Sequence, residues 1–136
     1  MTLARFLSVY GATLAAFLAL DALWLGVVAR GFYARQLGDM LRSDPRWGAA
    51  ALFYLIYILG VVVLAVLPAL EARSALKALG LGALLGLVAY AAYDLTNLAT
   101  LRGFPVRMVV VDLVWGTALT GTVAWAGYLA GRLILG

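Results

Sequence analysis

The chain has 136 residues, 66% of them hydrophobic and 12% charged, with a mean hydropathy of +1.06 and a net charge of +4. That composition lies far outside the soluble range and describes a single membrane-embedded domain. The absence of Cys and His excludes thiolate chemistry, disulfides, the common zinc sites, His-ligated haem and imidazole acid/base catalysis, so no cofactor is expected.

Residues 3–29 form the first apolar run, long enough for the roughly 20 residues that cross a hydrocarbon layer of about 30 Å. Met1, Arg5 and the apolar stretch resemble a signal peptide. The length of the run, Asp21 within it and the lack of a small-residue cleavage site argue for a retained span. Residues 30–47 are the longest polar connection. There Phe32/Tyr33, Gln36/Leu37 and Met40/Leu41 recur at helical spacing between Arg35, Asp39 and Arg42. The segment reads either as a short amphipathic surface helix or as a plain connector. Ser43-Asp44-Pro45 is a helix-start signal, with Asp44 as cap and Pro45 at the first helical position. Trp47 suits the interface.

The second span covers residues 46–67 and is expected to end at Pro68. A tight charged turn follows, with Ser74 as cap of the third span, residues 75–101. Gly82 and Gly86 there form a small-xxx-small pattern, which lets helix backbones approach closely. Arg102-Gly103-Phe104-Pro105 makes the last turn, and Pro105 opens the fourth span, residues 106–133, in which Gly116, Gly121, Gly127 and Gly131 recur. Runs this long satisfy their backbone polar groups in lipid only as helices. The fold expected is all-α: a polytopic membrane protein built as an antiparallel four-helix transmembrane bundle. Glycine-rich faces of the third or fourth helix offer a surface for a second copy of the chain or a partner membrane protein. Asp21 and Asp94 each lead into an Arg-Gly-Phe sequence, a weak sign of a duplicated helical hairpin.

The basic residues flank the spans, so membrane lipid headgroups account for them and nucleic acid is not a partner. Arg30, Arg35, Arg42, Arg46, Arg102 and Arg107 place six basic side chains on one surface, against four on the other at Arg5, Arg73, Lys77 and Arg132. The positive-inside rule then puts the connections after spans one and three in the cytoplasm and both termini outside.

The third span contains Tyr90, Tyr93, Asp94, Thr96, Asn97 and Thr100 in an otherwise apolar helix. An Asp at mid-membrane costs roughly 2.5 to 3.5 kcal/mol on insertion scales, so it faces protein or water. Asp21, Asp94 and Asp112 all fall about 7 to 14 Å below the same basic surface at 1.5 Å per residue. Tyr54 and Tyr57 of the second span reach comparable depth. Helical periodicity puts Phe17, Asp21, Trp24 and Val28 on one face of the first span. It does the same for Tyr90, Tyr93/Asp94, Asn97 and Leu101 of the third, and for Met108, Asp112, Trp115 and Leu119 of the fourth. Three carboxylates so placed do not all stay ionised unless Arg or a cation intervenes. They can relay a proton, hold a hard cation such as Na⁺, Mg²⁺ or Ca²⁺ with the Asn97 oxygen, or be neutralised by Arg30, Arg102 and Arg107. No confident metal site follows. Thr96, Thr100, Thr117 and Thr120 are expected to bond back to the preceding helical turn.

Tyr93-Asp94-Leu95-Thr96-Asn97, Asp112-Leu113-Val114-Trp115-Gly116 and Leu20-Asp21-Ala22-Leu23-Trp24 followed by Phe32-Tyr33 resemble a family across the whole chain. It is the group of small four-span bacterial predicted membrane proteins catalogued as a domain of unknown function, number twenty-one seventy-seven. The resemblance implies a bacterial inner-membrane protein with no assigned activity, and it leans toward a lipid-related role.

Three functional readings follow. The first is a binding or transport protein whose acidic pocket, at Asp21, Trp24, Tyr54, Tyr57, Tyr93, Asp94, Asn97, Asp112 and Trp115, takes a proton, a cation or a small polar or lipid ligand. The second is a lipid-modifying membrane enzyme with Asp94 and Asp112 as its acid/base pair. The third is an accessory subunit whose carboxylates pair with a partner's cations.

Overall fold

The computed structural model describes Met1–Gly136 and is helical almost throughout. Helix α1, Leu3–Leu23, starts where Thr2 Oγ1 accepts the Arg5 N–H at 3.2 Å, and it runs on through a π turn, Trp24–Val28. A short helix α2, Phe32–Leu37, follows, bounded by Gly31 and Gly38, both at positive φ. The second span is α3, Trp47–Val61, continued by a π turn, Val62–Val66, and by α4, Leu67–Ala72. Helix α5 is Ala75–Thr100, capped by Ser74 Oγ, which accepts the Lys77 N–H at 3.0 Å. Helix α6 is Val106–Leu135, with Pro105 at its N-cap. Four helices, Leu3–Val28, Trp47–Ala72, Ala75–Thr100 and Val106–Leu135, are long and apolar enough to cross a membrane.

The helices lie antiparallel, and α6 is the central one, packed on α1, on α5 and on the π turn of the second span. The core joins Val9 and Phe17 of α1, Ile58, Val61, Val62, Ala65 and Val66 of the second span, and Leu119, Val123 and Ala124 of α6. Outward positions are bare leucines and valines, such as Leu76 at 79% and Leu133 at 87% exposure. Such surfaces require lipid as their solvent.

Glycine sets the closest approach. A Cβ on Gly82 would meet the Ala124 Cβ and the Thr120 carbonyl at 2.6 Å, and one on Gly86 would run into the Gly116 carbonyl. Gly127 and Gly131 in turn seat Thr13 and Leu70. Gly82, Gly86, Gly116, Gly127 and Gly131 are therefore packed against neighbouring helices inside the bundle.

Local readings differ at several points. The second span does not stop at Pro68 but continues to Ala72. Proline lacks an amide hydrogen and crowds the carbonyl four residues back, and the wider turn at Val62–Val66, closed by Leu67 N–H on the Val62 carbonyl, gives it room. Asp44 caps nothing with its side chain. Helix α3 begins at Trp47, and the Asp44 carbonyl instead accepts from Arg42 Nε at 3.0 Å. Val28 and Leu101, assigned to inward faces, are 66% and 49% exposed, because the π turn and the end of α5 break the helical phase there. Thr96, Thr100 and Thr117 do bond back to their own helices. Thr120 instead pairs with Tyr57 Oη across the core at 2.7 Å.

Candidate functional site

A cleft of about 550 Å³ opens near the α2 end of the bundle, and Asp21, Trp24, Tyr54, Asp112 and Trp115 line it. Its polar groups form one linked series. Trp115 Nε1 donates to Asp21 Oδ1 at 3.4 Å. The Trp115 ring stacks on Trp24, with centroids 4.4 Å apart and planes 8° from parallel. Trp24 Nε1 donates to the Tyr33 hydroxyl at 2.9 Å, and that hydroxyl donates to Asp112 Oδ1 at 3.0 Å. The carboxyl of Asp94 lies beside that of Asp112. Asp94 is fully buried, and neither of its oxygens has a hydrogen-bond partner.

Local structure explains how the series closes. Asp21 and Trp24 lie three residues apart on one face of the first span, as do Asp112 and Trp115 on α6. The π turn begins at Trp24, and a widened turn of this kind re-aims the side chains that follow it. Positive φ at Gly31 then reverses the chain, so α2 folds back and carries Tyr33 over the cleft. Phe32, Tyr33 and Leu37 pack on Phe104, Met108 and Val109. Burial is the largest influence on the Tyr33 phenol and holds its pKa above the usual tyrosine value, with the negative charge of Asp112 acting in the same direction.

The expected site is therefore rearranged in three respects. The three carboxylates do not form one metal-holding group: Asp94 and Asp112 are neighbours, while Asp21, in the same cleft as Asp112, is bonded to Trp115. No group of three acidic side chains is close enough to hold a metal ion. Tyr57 lies in the core, edge-on to Phe17 at 5.9 Å and bonded to Thr120, because its helical face points at α6 rather than into the cleft. Asn97 lies beside Tyr93, one turn on toward the basic surface, and lines no part of the cleft. Tyr93 stands at the rim, 56% exposed, with its ring set edge-on to Phe104 at 6.2 Å.

Nine residues that line the cleft were absent from the expected set, Tyr33, Phe53 and Tyr90 among them. Tyr90 had a legible signal, since it precedes Asp94 by four residues and shares its face. It is accommodated because Gly116 has no side chain; a Cβ there would collide with the Tyr90 ring. Tyr33 sits on the polar connector, and nothing local marks it as a lid. No Arg or Lys lines the cleft, so the neutralising network through Arg30, Arg102 and Arg107 is not formed.

A side arm of about 350 Å³ shares Phe53, Tyr90, Tyr93 and Asp112 with the main cleft and adds Ala89. It lies between α3 and α5, where the two helices diverge. The backbone of α5 meets the second span mainly at Val62–Val66 and Leu67–Ala72.

Residues 6–129 match the model of a family described as "predicted membrane protein (DUF2177)". No curated protein and no solved structure matches the chain.

Proposed function

The chain belongs to this family of membrane proteins, and from that premise we propose that it is a small binding or transport protein whose acidic cleft takes up a proton or a cation at the Asp94–Asp112 pair. The observation that carries this reading is the Asp94 carboxyl, fully buried, without a hydrogen-bond donor, and set against a second carboxyl. Two neighbouring carboxyls removed from water repel each other when both are charged, and the desolvation cost of each is several kcal/mol, on the order given by buried-ion estimates. No side chain supplies the compensating positive charge. A proton or cation from outside does so, and the cleft at Asp112 supplies its way in. Tyr33 covers the cleft on the side of the basic connections, on a short helix bounded by Gly31 and Gly38.

Thermal denaturation of the full-length protein in a neutral detergent tests the reading. A ligand that binds only the folded state raises the midpoint in a saturable way. Acid or a monovalent cation is expected to raise it in the wild type and to have no such effect in Asp94→Asn or Asp112→Asn. In liposomes, flux of the same ion is expected to disappear in both variants. Persistence of both responses in both variants, or their absence from the wild type, overturns it.

A further inference from the structure

Deepening that reading, and resting on it, we propose that the ligand is an organic ammonium cation carried on an apolar tail, which enters sideways from the lipid between α3 and α5. The walls of the cleft set the ligand's chemistry. Trp24 and Trp115 present a stacked pair, and Phe53, Tyr54 and Tyr90 extend the aromatic surface. Aromatic faces attract cations, and ammonium ions of organic ligands are the ones such cages hold best. Asp21 and Asp112 bring negative charge to the same cleft, and Asp94 stands unpartnered behind Asp112.

The alternatives fit these walls less well. A hard divalent cation takes about six or more oxygen ligands, and here no three acidic side chains converge. An anion would meet the carboxylates of Asp21 and Asp112 in a cleft that no Arg or Lys lines. A neutral sugar-like ligand leaves the carboxyl pair without the positive charge it lacks.

The tail follows from the side arm. Phe53, Ala89, Tyr90 and Tyr93 form a mostly apolar passage that ends at Asp112. Phe53 and Tyr93 are 48% and 56% exposed on the lipid-facing side of that passage. A nitrogen placed against Asp112 can thus leave its chain running out between the two helices into the bilayer. Helix α2 covers the other approach, so a ligand dissolved in the membrane reaches the cleft without displacing Tyr33.

The test uses the full-length protein in maltoside micelles, with tryptophan emission and the thermal midpoint as readouts. Three probes are compared: dodecyltrimethylammonium, its neutral isostere with carbon in place of nitrogen, and tetramethylammonium. The tailed ammonium is expected to bind saturably and at least about tenfold more tightly than the neutral isostere. Asp112→Asn is expected to abolish that preference. Ala89→Leu, which narrows the side arm, is expected to weaken the tailed probe while leaving tetramethylammonium unchanged, and its own midpoint reports whether it has folded. Trp24→Phe is expected to weaken both ammonium probes and serves if Ala89→Leu does not fold.

Equal binding of the neutral isostere overturns the charge requirement. Tetramethylammonium binding as tightly as the tailed probe overturns entry from lipid and assigns the site to free amines. If no ammonium probe binds while acid or an inorganic monovalent cation still stabilises the wild type and not Asp94→Asn, this ligand class is wrong and the Asp94–Asp112 reading stands. If none of these acts, both fall.

Discussion

The Tyr33 hydroxyl donates to Asp112 Oδ1 at 3.0 Å, joining two residues 79 positions apart in sequence. Through this contact the connection between the first two spans becomes part of the cleft. The same hydroxyl accepts from Trp24 Nε1, so the π turn of the first span, α2 and α6 are tied at a single oxygen.

Replacing Tyr33 with Phe removes the donor to Asp112 and leaves the Trp24 indole without its acceptor. Loss of these two hydrogen bonds, at about 1 kcal/mol each, amounts to roughly a thirtyfold change in an opening equilibrium. Amide exchange across residues 32–37 is expected to speed up by about that factor, while exchange in the core of α6 stays unchanged. Unaltered rates in α2 show that Tyr33 does not hold it down.

Alkali is expected to act on the same residue. Burial holds the Tyr33 phenol above its ordinary value, so the folded chain retains a proton that the unfolded chain loses. The contribution is fully present below the unfolded value of about 10 and is lost as pH rises beyond it. Between about pH 9 and 11, the wild-type melting midpoint should fall more steeply than that of Tyr33→Phe. Parallel curves for the two proteins contradict the assignment.

Gly86→Ala is expected to destabilise strongly and Gly80→Ala hardly at all. The added methyl at Gly86 meets the Gly116 carbonyl and the Thr120 side chain, whereas at Gly80 it meets nothing. Overpacking of this kind costs about 1 to 3 kcal/mol, while an open surface change stays within about 0.5 kcal/mol. Melting midpoints measured side by side in one detergent decide it, and equal shifts refute the close α5–α6 contact.

The Tyr57–Thr120 pair tests the division between core and cleft. Hydrogen bonds between membrane helices couple by about 0.6 kcal/mol on average and about 1.7 at most. A double-mutant cycle with Tyr57→Phe and Thr120→Val should give a coupling in that range. Neither variant should alter ligand binding, since neither residue lines the cleft. A binding defect in Tyr57→Phe returns that residue to the site.

Much of the architecture was legible locally. Four apolar runs separated by charge clusters specify four helices, because in lipid each segment has to satisfy its own backbone hydrogen bonds. Ser74 and Pro105 mark the starts of α5 and α6, as their chemistry requires. Asp21, Trp24, Asp112 and Trp115 could be grouped from helical period and depth alone, since both are fixed by 1.5 Å and about 100° per residue.

Tertiary structure decided which of those residues meet. Tyr54 and Tyr57 are three apart, within about 4.5 Å of one another in depth, yet the rotation of the second span against α6 buries Tyr57 and exposes Tyr54 to the cleft. The partnering of Asp94 with Asp112, the bonding of Asp21 to Trp115, and the return of α2 over the cleft depend on how rigid helices turn relative to one another and how a loop closes. A side chain's period along its own helix carries no information about that rotation. The sequence therefore determined the spans and the polar face of each, and packing around the glycines of α5 and α6 determined which faces confront one another.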